Sequence, residues 1–282
     1  MSPFDFMTPL ETTVQRSSRS NRQSSNSSQA QVHPSELGRI YWQSLIVNAA
    51  KFSVRARSST AASLRPAQFL PWLASLVYRL GRYIVIPAYF KSIEVTGREH
   101  VPLSGPVILA PTHRSRWDAF LVPYAVGHDI TGRHLHFMVS ADEVVGCQGW
   151  LIRHLGGFPV DTRRPGVASL RHGVELLKAG KMLVIFPEGD IFRGDEVQPL
   201  KPGLARLALQ AETIQPGLEI QIIPIHLHYS HPMVPWKSRV KIQIGAPLRV
   251  ANYHLGAPKI DAQQLTSGLL ESLRELANTS SI

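Results

Sequence analysis

What the chain lacks narrows it first. It has one cysteine in 282 residues, Cys147. An internal disulfide framework and a cysteine zinc site are therefore excluded, and a reducing compartment fits. Cys147 itself reads as a small buried hydrophobe. Acidic residues are scarce, 20 Asp and Glu against 30 Lys and Arg, which leaves a formal charge of +10. No apolar run sits near Met1, so no secretory signal is expected. No internal repeat and no Gly-x-Ser-x-Gly elbow is visible.

The charge has consequences for partners. Residues 1–68 hold eight Lys/Arg against three Asp/Glu, and the rest of the chain 22 against 17, so tail and body share the surplus equally. A basic body suits an anionic partner: nucleic acid, an anionic membrane surface or a phosphorylated substrate. No pattern of stacking aromatics and Lys/Arg typical of a nucleic-acid binder appears, so nucleic acid is not an expected partner.

Composition divides the chain in three. Residues 1–38 are rich in Ser, Asn, Gln and Arg with almost nothing to bury, and are expected to be disordered. The tail shares its Arg/Ser bias with organellar transit peptides, but Asp5 and Glu11 run against that reading. Residues 39–95 are expected to be helical. They contain the most apolar stretch, "FLPWLASLVYRLGRYIVIPAYF" at 69–90. That run is long enough to span a bilayer, yet Arg79 and Arg82 near its middle would each cost about 2.5–3.5 kcal/mol there. An amphipathic helix lying on the membrane, arginines at the headgroups and aromatics below, fits better. The expected location is the cytoplasmic face of a membrane, in peripheral or monotopic association.

Residues 96–282 alternate short apolar runs with helical periods. "PVILA", "LHFMVSA", "GFPVD", "KMLVIFP", "LEIQIIPIHLHY" and "RVKIQIGAPLRV" read as strands. Between them, "WDAFLVPYAV", "EVVGCQGWLIRHL", "GVASLRHGVELLKAG" and "GLARLALQAE" read as helices, with a last helix over roughly 261–277. The expected fold is α/β: a mostly parallel central sheet flanked by helices.

In such sheets ligands gather where strands end, and three polar clusters fall there. "THRSRWD" brings His113, Arg114, Arg116 and Asp118 after the 106–110 strand. A neutral imidazole can take a proton from a hydroxyl near pH 7, and a carboxylate on its other nitrogen fixes tautomer and orientation. Asp118 can also cap the helix that follows. "GGFPVDTRRPG" brings Arg163 and Arg164, and "FPEGDIFRGDE" brings Glu188, Gly189 and Arg193. Arg114 and Arg116 are further anion-contact candidates, since arginine suits phosphate and carboxylate geometry. Gly189 lets backbone approach a ligand closely. His226, His228 and His231 have the look of a metal cluster, but no carboxylate adjoins them in sequence and no metal is expected.

The ordered set "HRSRWD", "GGFPVDTRR", "FPEG" and "IIPIHL" resembles the glycerolipid acyltransferase family over roughly residues 80–250, with "VIPAYFKSIEVTGREHVP" as lead-in. The resemblance implies direct transfer of a fatty acyl group from a thioester, on acyl-carrier protein or coenzyme A, to a lysophospholipid hydroxyl, with no further cofactor. It implies His113 as base and Asp118 as its orienter, Arg163 or Arg164 on the acceptor's phosphate, Glu188 in acceptor binding and Lys201 as a further basic contact. The expected acceptor is 1-acylglycerol 3-phosphate and the product phosphatidic acid. This chain departs from the family at Glu188-Gly189-Asp190-Ile191, where the common form reads Glu-Gly-Thr-Arg; Arg193 comes two positions late. Another lysophospholipid or glycerol 3-phosphate is the alternative acceptor. A phosphoesterase built on the same residues would need a carboxylate cluster that the sequence lacks. A non-catalytic membrane-binding protein is a third reading, against which the full set His113, Asp118 and Glu188 argues.

Overall fold

The computed structural model describes residues 69–161 and 166–279. The expected tail at 1–38, residues 39–68 of the helical segment, and Arg163 and Arg164 lie outside the described residues.

Two short strands without a solvated face set the architecture. β2 (Val107–Pro111) and β5 (Met182–Val184) are buried at every position, which requires layers on both sides of the sheet. The other strands are β1 (Ser92–Thr96), β3 (Leu135–Ser140), β4 (Gly157–Val160), β6 (Gln221–Tyr229), β7 (Arg239–Ile244) and the two-residue β8 (Leu248–Arg249). Their order is β1-β7-β6-β2-β5-β3-β4, with β8 paired to β6. The five strands from β6 to β4 run parallel. β7 and β8 are antiparallel to β6, and β1 is parallel to β7. The expected α/β fold with a mostly parallel sheet is the one observed.

Alternation along β2 separates the two cores. Ile108 and Ala110 face α6 (Val167–Lys178), α7 (Gly203–Ile214) and α8 (Pro258–Asn278), packing with Leu177, Leu207 and Leu269. Val107 and Leu109 face the other way, with Leu121, Val122 and Ala125 of α3 (Asp118–Val126) and Ile86 and Phe90 nearby. A short α4 (His128–Thr131) follows α3, and α5 (Gly146–His154) precedes β4.

The apolar 69–90 stretch is not one regular helix. α1 (Pro71–Leu80) passes through a π turn at Gly81–Val85 into α2 (Ile86–Tyr89). The amide of Ile86 donates five residues back, to the Gly81 carbonyl, just before Pro87, which has no N–H to give. Trp72 and Tyr83 are 65% and 68% exposed, with Leu76, Leu80 and Ile84 exposed beside them. The expectation that both arginines reach headgroups is corrected for Arg82. Arg82 donates to the Tyr124 carbonyl of α3 at 2.6 Å and lies over the Tyr124 ring, while Arg79 pairs with Asp129 at 3.6 Å. Among the described residues, no helix is long and apolar enough to cross a membrane. Cys147 is exposed rather than buried, because it sits in the first turn of α5 on its outer side.

Candidate active site

The sheet's parallel core points the C-terminal ends of β2, β5 and β6 to one edge, and the polar clusters that follow β2 and β5 meet there. Beyond β2 the chain stays tied to β6: Thr112 N donates to the Ile225 carbonyl, and Leu227 N donates to Thr112 Oγ1. The next residue is His113.

His113 Nδ1 lies 2.9 Å from Asp118 Oδ2. The same oxygen accepts the amides of Arg114 at 2.6 Å and Ser115 at 2.8 Å. Asp118 opens α3, but its carboxylate reaches back into the preceding turn instead of forward to the helix amides, and no side chain caps α3. Its capping role, allowed by the sequence, is therefore not taken up. Asp118 is fully buried, and its other oxygen accepts the hydroxyl of Tyr229, the last residue of β6. A carboxylate on Nδ1 leaves the proton there and the lone pair on Nε2. The ring of His113 stacks on Phe186 at 4.0 Å between centroids, so the imidazole is held on two sides.

Phe186 starts the loop after β5 that carries Glu188. Glu188 Oε2 accepts the His113 amide at 2.8 Å, and Oε1 accepts the Gln198 amide at 2.9 Å. Nη1 of Arg114 also donates to both, at 3.0 Å to Oε1 and 2.8 Å to Oε2. Arg114 goes on to the carbonyls of Phe192 and Glu196, and Phe192 N donates to the His113 carbonyl. The loop at 186–196 is thus wrapped around Arg114. Arg114, expected as an anion contact, is corrected: burial forces it to keep an internal carboxylate partner.

The remaining expected residues lie at the margins. Arg116 is 54% exposed and makes two 3.0 Å contacts to Glu143, so a carboxylate of this chain already answers its charge. Gly189 has φ of +75°, and Lys201 Nζ donates to its carbonyl at 3.3 Å. A Cβ at Gly189 would lie 2.5 Å from that Nζ, which a flexible lysine can yield, so it is the left-handed backbone that calls for glycine. Arg193 is exposed and touches Met233 Sδ. His228 Nδ1 lies 2.7 Å from Asp195, a carboxylate that sequence adjacency did not reveal, and His231 accepts the Met233 amide. His226 is buried, and burial, with Arg114 and His228 adding to it, lowers its pKa to about 4 despite Asp195. Among the described residues no group of three metal-ligating side chains comes together.

Tyr229 and the Arg114–Glu188 pair were missed by sequence reasoning. The available signal for Tyr229 was its place at the end of "IIPIHLHY", on the ligand edge of the sheet. Arg114 offered none, since a buried arginine and a loop arginine look alike in sequence.

Comparison with known proteins agrees with this geometry. Residues 92–228 match the family model described as Acyltransferase. The 1-acyl-sn-glycerol-3-phosphate acyltransferase of Bacillus subtilis is 26% identical over 191 residues, which is 66% of this chain and 88% of that protein. Glycerol-3-phosphate O-acyltransferase 1 of Saccharomyces cerevisiae is 30% identical over 113 residues, 38% of this chain but 15% of that protein. The crystal structure of the 1-acyl-sn-glycerophosphate acyltransferase PlsC from Thermotoga maritima superposes with a TM-score of 0.55 at 17% identity, covering 85% of this chain and 88% of that one, a likeness of fold. The dyad, the loop that braces it and these matches agree: residues 92–228 form an acyltransferase domain, and the chain is an acyltransferase.

Proposed function

We propose that this acyltransferase moves a fatty acyl group from a thioester, on acyl-carrier protein or coenzyme A, to the free hydroxyl of 1-acylglycerol 3-phosphate, giving phosphatidic acid. The observation that carries the reading is the His113–Asp118 contact, with Nδ1 engaged and Nε2 left to accept a proton. As the acceptor oxygen attacks the thioester carbonyl, Nε2 takes its proton. The tetrahedral intermediate collapses with loss of the thiolate, which takes the proton back from the imidazolium. Asp118 keeps Nδ1–H in place and stabilises the cation formed on the way. A thioester is already activated, so the reaction calls for no metal or further cofactor.

Arg163 and Arg164 are the proposed contacts for the acceptor's phosphate, with Lys201, Arg193 and Arg116 as outer contributors. Glu188 acts in this reading by holding Arg114 and the His113 amide, which shapes the acceptor's place without touching the acceptor. The exposed apolar face of α1 and the π turn, led by Trp72 and Tyr83, supports docking against a membrane surface, where lysophospholipid and product reside.

The test is product analysis by mass spectrometry, with mixed lysophospholipids and glycerol 3-phosphate as acceptors and both donor types supplied. The expected result is thioester-dependent phosphatidic acid. Acylation of glycerol 3-phosphate or another lysophospholipid in preference would replace the acceptor, and absence of any thioester-dependent product would overturn the reading.

A further inference from the structure

We propose that Tyr229 is a positioning residue of the transfer reaction, acting through Asp118 on His113. The inference rests on the reading of His113 as base.

Of the four donors to Asp118, three come from the turn it belongs to: His113, Arg114 and Ser115, all on Oδ2. All three sit within one turn and hold a single oxygen, so the other oxygen has to be placed from elsewhere. Tyr229 lies 111 residues away in sequence and reaches the opposite oxygen, Oδ1. It belongs to β6, where its backbone is paired with Val240 of β7, so its hydroxyl refers the carboxylate to the sheet. A carboxylate rotates easily about its last torsion. With one oxygen held by the loop and the other by the sheet, that rotation is blocked, and Oδ2 stays aimed at Nδ1.

The phenol suits the task chemically. Tyr229 is almost wholly buried, its ring next to Phe90. Burial, and then the charge of Asp118, push its pKa well above the ordinary tyrosine value, so the hydroxyl keeps its proton and remains a donor at any physiological pH. It supplies no charge and takes no proton from substrate. Its effect is on where Asp118 points and how basic that carboxylate is.

The experiment is initial-rate kinetics of Tyr229→Phe across pH, in the full chain, beside wild type and His113→Ala. Without Tyr229's hydrogen bond the carboxylate holds the imidazolium more tightly, so the acid limb of the kcat–pH profile is expected to move to higher pH. kcat should fall about tenfold or more, with KM for both substrates within about twofold. In a His113→Ala background the Tyr229→Phe change should produce no further loss. A folded Tyr229→Phe enzyme with wild-type kcat and an unmoved acid limb would overturn the proposal. So would a rate loss matched by the loss of folded protein alone. If Tyr229→Phe does not fold, fluorotyrosine placed at position 229 keeps the shape and strengthens the donor. The acid limb must then move to lower pH, and an unmoved limb rejects the role. A His113→Ala enzyme as active as wild type would instead remove the underlying reading, whatever Tyr229 does.

Discussion

Arg114 and Glu188 meet inside the protein, with Nη1 2.8 Å from Oε2 and side-chain exposures of 3% and 0%. The two residues come from loops 74 positions apart, and their contact closes the loop after β5 over the loop after β2. Two buried charges are tolerable only as a pair. That makes the pair a clamp on the turn containing His113.

Breaking the clamp from one side should therefore cost more than removing it. Glu188→Ala leaves a buried guanidinium without its carboxylate and should lose about 3–5 kcal/mol of stability by urea unfolding. Arg114→Met combined with Glu188→Leu should lose clearly less than either single change. A double variant whose loss is the sum of the singles would contradict the clamp.

Gly189 makes a smaller, local prediction. Its φ of +75° penalises any side chain, and a Cβ would also push Lys201 off its carbonyl contact. Gly189→Ala should cost about 1–2 kcal/mol in the same unfolding assay. A neutral change would mean that the turn relaxes without strain.

Acid should weaken the fold before carboxylates titrate. His136 has its pKa lowered from the ordinary 6.5 to about 4, first by burial and then by Lys181, His172 and His134. His226 is lowered to about 4 as well, first by burial. Between pH 6.5 and 4 the unfolded chain binds protons at these sites and the folded chain does not. Stability therefore rises with pH through that window and falls on acidification. Tm should be lower at pH 5 than at pH 7.5, and His136→Gln should reduce that difference. An unchanged difference would remove His136 from the account.

The exposed face of the first helical segment is testable with vesicles. Trp72→Glu and Tyr83→Glu change residues 65% and 68% exposed, so the fold should stand while sedimentation with anionic vesicles falls about tenfold for each. Undiminished sedimentation of a double variant would place membrane contact elsewhere.

Much of this was legible in the chain itself, for physical reasons. Strands buried on both faces leave unbroken apolar runs, so "PVILA" and "KMLVIFP" announce a covered sheet, and the polar residues following them fall on its ligand edge. His113 and Asp118 are five residues apart, a spacing that one turn closes. What stayed hidden depends on distant partners. Nothing next to Arg114 says that it turns inward to Glu188, and nothing next to Tyr229 says that it meets Asp118. Arg82 looked like a headgroup contact because its true acceptor, the Tyr124 carbonyl, is 42 residues on. The π turn is a backbone feature, with the Ile86 amide on the Gly81 carbonyl, that hydrophobic periodicity does not register.

In the proposed mechanism His113 takes the acceptor's proton while Asp118 holds it in place. The most direct measurement is the thioester-dependent rate of His113→Ala with 1-acylglycerol 3-phosphate, on protein whose folding matches wild type. A general base at position 113 implies a kcat loss of about 100- to 10,000-fold with acceptor KM little changed. A rate within a few-fold of wild type would contradict it.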